Sequence, residues 1–308
     1  MVVEIADWND LDAVRNDLSA DYVLVNNLDS ETDGYAGIGD DFTPIGNGNN
    51  EFVGTFDGGG YGIADMSVDN DDRPGGLFST TESGALIENV FVSGSVTDPS
   101  DGFDENGGLV GNHQGGIIKN CAVNVDVSAV DTERAAGGLC GAMSDGTVEK
   151  CYALGSVDGN ERVGGLVGNN SDGLVDTCYS VGAVSGNDDV GGLVGSTSSF
   201  DVEDSYWDVQ SSGQTTSDDG TGLDTVEMQG EAAKTNMDGF DFANMWDSVV
   251  NGESTSDNLL PNEDGYPILV AVDDENQLES QNTGFDTVAD LDFAVWRSLV
   301  DGTELKTF

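Results

Sequence analysis

Positive charge is the scarcest feature of this 308-residue sequence, which has nine Lys and Arg residues beside 59 Asp and Glu. The formal net charge is −50. Nucleic acid binding needs a Lys and Arg surface that displaces counterions from the phosphates, and anionic lipid attracts the same residues. The composition therefore excludes nucleic acid as a partner and argues against docking on a lipid surface.

Long apolar runs are also absent. No stretch approaches the roughly 20 residues that cross a bilayer. The N-terminal stretch MVVEIADWNDLDAVRNDL has no basic segment followed by an apolar one, which a secretory signal would show. We therefore expect no membrane insertion and no export signal at this N-terminus.

Signatures of catalysis and metal binding are missing as well. The single His, His113, sits in GNHQGG, which predicts a turn, and neither a Cys-x-x-Cys pair nor a hydrolase, zincin or phosphate-loop motif occurs. We predict no catalytic residue, no cofactor and no dedicated metal site. The acidic turns GDDFTPIGNGNNEF and SGNDDVGG are expected to hold Ca²⁺ or other cations only loosely, because they lack the spacing of a calcium loop.

The acidity itself has two interpretations. High net charge with low hydrophobicity is typical of disorder, whereas molar salt shortens the screening length to about 3 Å and so permits a folded, carboxylate-rich surface. Hydrophobic residues make up 37% of the chain, and they recur in order. This favours a folded protein from a halophilic, archaeal source.

A repeat dominates the middle of the chain. The segment Gly164–Gly186, GGLVGNNSDGLVDTCYSVGAVSG, closely copies Gly137–Gly159, GGLCGAMSDGTVEKCYALGSVDG. The tetrad Gly-Gly-Leu-x recurs in steps of 32, 30, 27 and 27 residues, at Gly75, Gly107, Gly137, Gly164 and Gly191.

Each repeat holds two short alternating apolar stretches separated by Gly, Asn and Asp, which predicts strands joined at tight corners. A unit this short buries its apolar face only by stacking on its neighbours. We predict an all-β fold, a right-handed parallel β-helix (a β-solenoid) with about one coil per repeat and short capping helices at its ends.

Small residues share one position of the repeat. Stacked side chains that point the same way are poorly placed for a disulfide, so we predict that the cysteines fill the core. Lys119 and Lys150 fall at near-equivalent positions and are predicted to stack outside. The position is occupied in turn by Val90, Cys121, Cys151, Cys178 and Ser205.

These residues resemble the GLUG-repeat family, named for its Gly-Leu-x-Gly core. The resemblance extends from the N-terminal DLDAVRNDLSADYVLVNNLD through FTPIGN and FVGTFDGGGYGIADMSV to SYWD and GYPIL, over residues 5–272. It implies a non-catalytic scaffold of bacterial and archaeal surface proteins, such as filamentous adhesins and the flanks of some IgA-cleaving proteases. One unit departs from the pattern, GLFS at Gly76–Ser79, and is expected to turn differently. The core reads GLVG at Gly108–Gly111, Gly165–Gly168 and Gly192–Gly195, and GLCG at Gly138–Gly141.

Four segments are predicted: residues 1–40 as N-terminal cap and first coil, 41–210 as the GLUG-repeat β-helix, 211–272 as closing segment and C-terminal cap, and 273–308 as linker and docking tail. In the first, Asp7 or Asn9 caps a helix whose buried face carries Trp8, Leu11, Val14 and Leu18.

The closing segment contains LDTVEMQGEAA and DFANMWDSV, which predict short helices around Met228 and Trp246.

The aromatic residues Tyr206, Trp207 and Trp246 have two interpretations. They suit a sugar-binding platform, but at a closing segment the packing of a cap is favoured.

The last segment carries apolar residues at helical spacing. Either this helix folds back on the solenoid, or it is an interface that docks another chain or a second copy. The predicted interface residues are Val288, Leu291, Val295, Trp296 and Leu299.

These features predict a structural or attachment protein on an exterior surface and not an enzyme. A virion component of a halophilic archaeal virus is favoured, because stacked coils give rigid length and no export signal is visible. The alternatives are a haloarchaeal cell-surface adhesin and a carbohydrate-active β-helix enzyme. Expected partners are other virion or surface structural proteins, a host surface glycan or glycoprotein, and further copies of the chain in a homo-oligomer.

Overall fold

Stacked parallel strands form the body of the protein in this computed structural model, which describes residues 1–69, 74–98, 105–129, 135–198, 201–250, 253–254 and 265–272. The chain winds through four parallel sheets, here named A to D, in the order in which each coil visits them. The fold is therefore the predicted parallel β-solenoid.

Sheets A and B contain the first two strand positions of each coil. Sheet A has eight strands, Val2–Ile5, Asp21–Leu24, Thr55–Asp57, Leu86–Glu88, Ile117–Lys119, Thr147–Glu149, Leu174–Asp176 and Val202–Glu203. Sheet B has nine, Gly62–Asp69, Phe91–Thr97, Ala122–Ala129, Tyr152–Ala153, Val157–Gly159, Tyr179–Ser180, Val184–Ser185, Tyr206–Asp208 and Thr221–Leu223.

Sheets C and D flank the glycine-rich tetrads: the first glycine ends a strand of sheet C, and the fourth residue begins a strand of sheet D. Sheet C has four strands, Asn106–Gly107, Ala136–Gly137, Glu161–Gly164 and Asp188–Gly191. Sheet D has five, Phe78–Thr81, Val110–His113, Cys140–Met143, Val167–Asn170 and Val194–Thr197.

Equivalent residues of successive repeats lie directly above one another. Val148 pairs with Val175 in sheet A, and Tyr152 pairs with Tyr179 in sheet B. One repeat therefore makes one coil, as predicted. The longer repeats carry their additional residues between sheets B and C. In a long repeat several residues separate the end of the sheet B strand at Thr97 from the start of the sheet C strand at Asn106, whereas in a short repeat one residue separates Gly159 from Glu161. Insertions at such a corner leave the core unchanged.

The core inside the coils consists of stacked aliphatic side chains. The tetrad leucines Leu109, Leu139, Leu166 and Leu193 are fully buried, and burial of each such side chain contributes about 2 kcal/mol. The core closes at the N-terminal end against the helix Trp8–Ala13.

The predicted N-terminal helix is confirmed, with Asp7 as its N-cap. The carboxylate of Asp7 accepts hydrogen bonds from the backbone N–H groups of Asn9 at 2.8 Å and Asp10 at 2.9 Å. All four residues predicted for its apolar face are buried: Trp8, Leu11, Val14 and Leu18. Short 3₁₀ turns follow at Val14–Asn16 and Gly39–Asp41.

Residues 225–248 and 265–272 form what we call the side segment, because they pack along the outer face of sheet B. Its helices are Thr225–Met228 and Gly230–Asn236, which follow a single helical turn at Val209–Ser212. It takes part in an antiparallel sheet formed by the strands Trp246–Val250, Glu253–Ser254 and Gly265–Leu269. The helix predicted around Met228 is confirmed. The one predicted around Trp246 is wrong, because Trp246–Val250 pairs as a strand with Gly265–Leu269.

The side segment runs back toward the start of the solenoid. The hydroxyl of Tyr206, in the last full coil, donates to the carbonyl of Asp238 at 3.1 Å. Farther along, a Cβ placed on Gly60 would lie 3.1 Å from the carbonyl oxygen of Ala271.

The predicted domain boundaries stay a prediction. Within the described ranges, none of the helices has the length and apolar content needed to span a bilayer.

Candidate functional site

The tetrad glycines are the most repeated residues of the chain, and their role is close packing. A Cβ on Gly137 would lie 2.7 Å from the backbone nitrogen of Gly168, and a Cβ on Gly141 would lie 2.7 Å from the carbonyl oxygen of Gly111. No real Cβ approaches a neighbour that closely. Glycine is therefore required because the backbones of adjacent coils touch at these positions.

The departing unit GLFS does turn differently. Gly76 has a φ of +152°, whereas the equivalent Gly138 does not have a positive φ. Ser79, which replaces the last glycine of the motif, is buried, and its hydroxyl has no hydrogen-bond partner among the described residues. This coil tolerates a side chain where the others do not.

The predicted cysteine ladder is present in the core. The backbone N–H of Cys121 donates to the Sγ of Cys151 at 3.4 Å, that of Cys151 to the Sγ of Cys178 at 3.3 Å, and that of Cys178 to the Oγ of Ser205 at 3.0 Å. Each thiol donates in turn to the carbonyl two residues earlier, as Cys151 does to Glu149 at 3.3 Å.

All four cysteines are free and buried. Burial raises the pKa of the Cys151 thiol well above its usual value, and burial also raises the pKa of Cys140. Because the thiolate is the reactive form, the raised pKa makes Cys140 and Cys151 poor nucleophiles. Their role is to fill the core, as predicted.

A left-handed corner precedes the cysteine position in each coil. Its residues have φ between +41° and +55° and are not glycine: Asn89, Asn120, Lys150, Thr177 and Asp204. The predicted stack of Lys119 on Lys150 is wrong. Lys119 pairs in register with Glu149, while Lys150 occupies the next position, at the corner. The register pairs the buried Ile118 with Val148 and agrees with the alignment of Cys121 on Cys151, in which Lys119 and Lys150 stand one position apart.

The histidine is also placed differently from the prediction. His113 is the last residue of the strand Val110–His113, and it is buried. Its Nδ1 lies 2.7 Å from the Oγ1 of Thr81 in the preceding coil. Burial is the main cause that lowers the pKa of His113 to about 4, so the ring is neutral at pH 7 and sealed from solvent.

The aromatic residues offered as a sugar platform are packed instead. Tyr206, Trp207 and Trp246 are buried, and the ring of Trp246 lies 5.8 Å from Tyr179 and 4.5 Å from Phe240, between ring centroids. The favoured interpretation, packing by the closing segment, is confirmed.

The outer face of sheet A carries a ladder of charged residues. The ladder includes one cation, Lys119, whose Nζ lies 3.0 Å from the Oε2 of Glu88. No group of three or more His, Cys, Asp or Glu side chains is arranged to hold a metal ion in the part of the chain that the structure describes. Loose binding of Ca²⁺ or other cations stays a prediction. In register the ladder runs Asp57, Glu88, Lys119, Glu149, Asp176 and Glu203.

An acidic depression of about 430 Å³ lies near the N-terminal helix. Sequence reasoning missed it because its residues come from separate segments with no shared motif. It is lined by Ala6, Asp7, Asn26, Asp29, Glu31, Thr32 and Asp33.

The interface predicted in the tail lies outside the described residues. Its predicted residues are Val288, Leu291, Val295, Trp296 and Leu299.

Three comparisons relate this chain to known proteins. A family model described as the GLUG motif matches residues 107–128. Halomucin from Haloquadratum walsbyi (strain DSM 16790 / HBSQ001) is 34% identical over an alignment of 248 residues, and the match covers 68% of this chain and 3% of Halomucin. The chain thus spans about 3% of the length of this curated relative.

The crystal structure of a protein from Bacteroides ovatus, described as an immunoglobulin A1 protease, has a TM-score of 0.55 with this chain. The match covers 88% of this chain and 92% of the other, at 18% identity. At that identity the likeness shows the fold, a β-helix.

Proposed function

Because this chain is a GLUG-repeat β-solenoid, we propose that it is a non-catalytic structural segment of a haloarchaeal cell-surface protein. Its role is to provide a stiff body on which variable exterior residues are displayed.

One observation carries this proposal: the repeated residues are used for packing. The tetrad leucines and the ladder cysteines are buried, and the tetrad glycines touch the backbone of the next coil. What the repeat preserves is thus contact between neighbouring coils, which gives a solenoid its stiffness. The side chains left outside differ from coil to coil.

The surface location is supported by the match to Halomucin and by the composition. A net charge of −50 suits a protein that works in molar salt, where repulsion between surface carboxylates is screened. The organism of the relative, Haloquadratum walsbyi, agrees with a haloarchaeal source.

Absence of catalysis is part of the proposal. The only histidine of the sequence, His113, is buried, so it is unsuited to act as a general base. The likeness to the Bacteroides ovatus protein carries the fold and no activity.

The virion location, the homo-oligomer and the glycan or glycoprotein partner stay predictions.

The experiment that tests the proposal is labelling of intact haloarchaeal cells with a membrane-impermeant amine reagent in molar salt, followed by peptide mass spectrometry. We expect labelled Lys119 and Lys234, whose side chains are 31% and 33% exposed. A cytosolic protein of the same cells serves as control.

Label that reaches these lysines only after lysis would contradict a surface location. Purified virus particles from the same culture provide the matched fraction. Recovery of the chain in particles but not on cells would favour the virion component.

A further inference from the structure

Asn169, Asn170 and Ser171 form an Asn-x-Ser triplet, and it is the only Asn-x-Ser/Thr triplet in the whole sequence. This triplet is the acceptor for N-linked glycans on proteins that leave the cytoplasm. The fold assigns no other role to its first residue, Asn169.

Asn169 lies where a modification is sterically accessible. It is the third residue of the sheet D strand Val167–Asn170 and is partly exposed, whereas its neighbour Asn170 is fully buried. In register it lies between Ala142 and Ser196, which are both small. Its side-chain amide makes no hydrogen bond with any residue that the structure describes.

The other two residues of the triplet shape its surroundings. The side chain of Asn170 donates to the carbonyl of Gly173 at 2.7 Å and accepts from the N–H of Gly173 at 2.8 Å. These bonds hold the turn that follows the strand, and Ser171, the third residue of the triplet, lies partly exposed in that turn. Asn169 and Ser171 are therefore both on the solvent side, at the junction of a strand and a turn.

We propose that Asn169 carries an N-linked oligosaccharide. The proposal rests on the proposed function, because the transfer takes place outside the cytoplasm. The donor is an oligosaccharide linked to a lipid phosphate. The side-chain nitrogen Nδ2 attacks the anomeric carbon of the first sugar, and the bond from that carbon to the phosphate oxygen breaks. The lipid phosphate departs with the bonding electrons, and one proton leaves Nδ2 to a base of the transferase.

The fold accommodates this addition. The side segment covers sheet B by packing on Tyr152 and Tyr179, whereas Asn169 belongs to sheet D. A glycan at Asn169 therefore extends the exterior of the fourth sheet without displacing either apolar cluster.

The repeat supplies an internal control. Asn112 occupies the same register position two coils earlier, since both Asn112 and Asn169 pair with Ala142. It is also partly exposed. The residue two positions after Asn112 is Gln114 and not Ser or Thr. We therefore expect Asn112 to be unmodified.

The test uses the full chain, exported by a haloarchaeal host and recovered from the surface fraction, with its peptides measured intact by mass spectrometry. We expect the Asn169 peptide to carry the mass of an oligosaccharide and the Asn112 peptide to lack it. Asn169→Gln and Ser171→Ala should abolish the added mass, and Ser171→Thr, which keeps the triplet, should retain it. Circular dichroism of each variant confirms that the solenoid is folded.

The outcomes separate this proposal from the one on which it rests. An unmodified Asn169 in chain recovered from the surface overturns the glycan and leaves the proposed function intact. Recovery of the wild-type chain only from the cell interior overturns both. An added mass that persists in Ser171→Ala also overturns the assignment, because it does not depend on the triplet.

Discussion

The coils between Gly137 and Gly195 and the side segment both exclude water, but they do so with different side chains. In the coils, aliphatic residues such as Leu139 and Leu166 stack on copies of themselves. In the side segment, Phe240 and Trp246 pack on Tyr179 of sheet B, with ring centroids 6.3 and 5.8 Å from that tyrosine.

The two regions also differ in the distance along the chain that their contacts span. A coil contacts the next repeat, about 27 residues away, as Cys151 contacts Cys178. The side segment reaches much farther, since the hydroxyl of Tyr179 donates to the carbonyl of Pro267 at 2.5 Å across 88 residues. Coil stability is therefore distributed over many equivalent contacts, whereas the side segment depends on a few contacts that do not recur.

The largest loss of stability is expected for Trp246→Ala. The indole is buried against Phe240, Tyr152 and Tyr179, and loss of a buried Trp destabilises by about 4 kcal/mol. Because the contacts are confined to the side segment, we expect this segment to detach while the coils stay folded. Hydrogen exchange should show lost protection at residues 225–248 and 265–272 alone. Loss of protection throughout the coils would show that the two regions unfold as one unit.

The next largest effect is a loss of coil stability at low pH. Burial lowers the pKa of His113 from 6.5 to about 4, so between these values the unfolded chain binds a proton that the folded chain does not. Stability is fully present above pH 6.5, falls as the pH falls through this window, and loses about 3 kcal/mol by pH 4.

The control for this effect is His113→Asn, because Asn170 fills the equivalent position two coils later. Denaturation of both proteins in molar salt, at pH 7 and at pH 4.5, isolates the contribution of the histidine from that of the carboxylates. We expect the variant to lose less stability than the wild type over this interval. Parallel losses would refute the assignment.

A smaller effect is expected for Gly168→Ala. The added Cβ would lie 2.6 Å from the carbonyl oxygen of Gly141 and 2.7 Å from the backbone nitrogen of Ala136, and such overpacking destabilises by about 2 kcal/mol. Gly48→Ala is the matched control, because its Cβ would meet nothing within 4 Å. Urea denaturation should move the midpoint of the first variant only. Equal midpoints for both variants would contradict the close-packing role of the motif.

The smallest effect is expected for Tyr179→Phe. This change keeps the ring contacts of the side segment and removes the hydrogen bond to Pro267, which leaves a buried carbonyl unpaired and costs about 1.5 kcal/mol. Proteolysis should become faster within the side segment and unchanged within the coils. Unchanged cleavage in both regions would show that the aromatic contacts alone hold the segment.

The repeated part of the structure could be predicted because its contacts repeat with the sequence. Repeat steps of 30 and 27 residues place Cys121, Cys151 and Cys178 at one position, and stacked coils then bring them together whatever the rest of the chain does. The N-terminal helix was equally accessible, since Asp7 and the apolar spacing that follows it are local signals.

The structure differs from the predicted placements of Lys119 and His113, and the two differences share a physical cause. Lys119 and Lys150 stand one position apart, because the register pairs the buried Ile118 of one coil with Val148 of the next. His113 is flanked by turn-forming glycines in sequence, but it is buried because its ring fits beside Thr81 of the preceding coil. In both cases the neighbour that decides the outcome is on another coil.

The sequence by itself determined the period, the parallel stacking and the buried cysteines, because each follows from a local pattern. Only the tertiary structure decided that the side segment lies along sheet B and that Trp246 belongs to a strand. Those choices depend on an aromatic surface, built from Tyr152, Tyr179 and Tyr206, that exists only after successive coils have stacked. No local signal encodes a surface whose residues are brought together by folding.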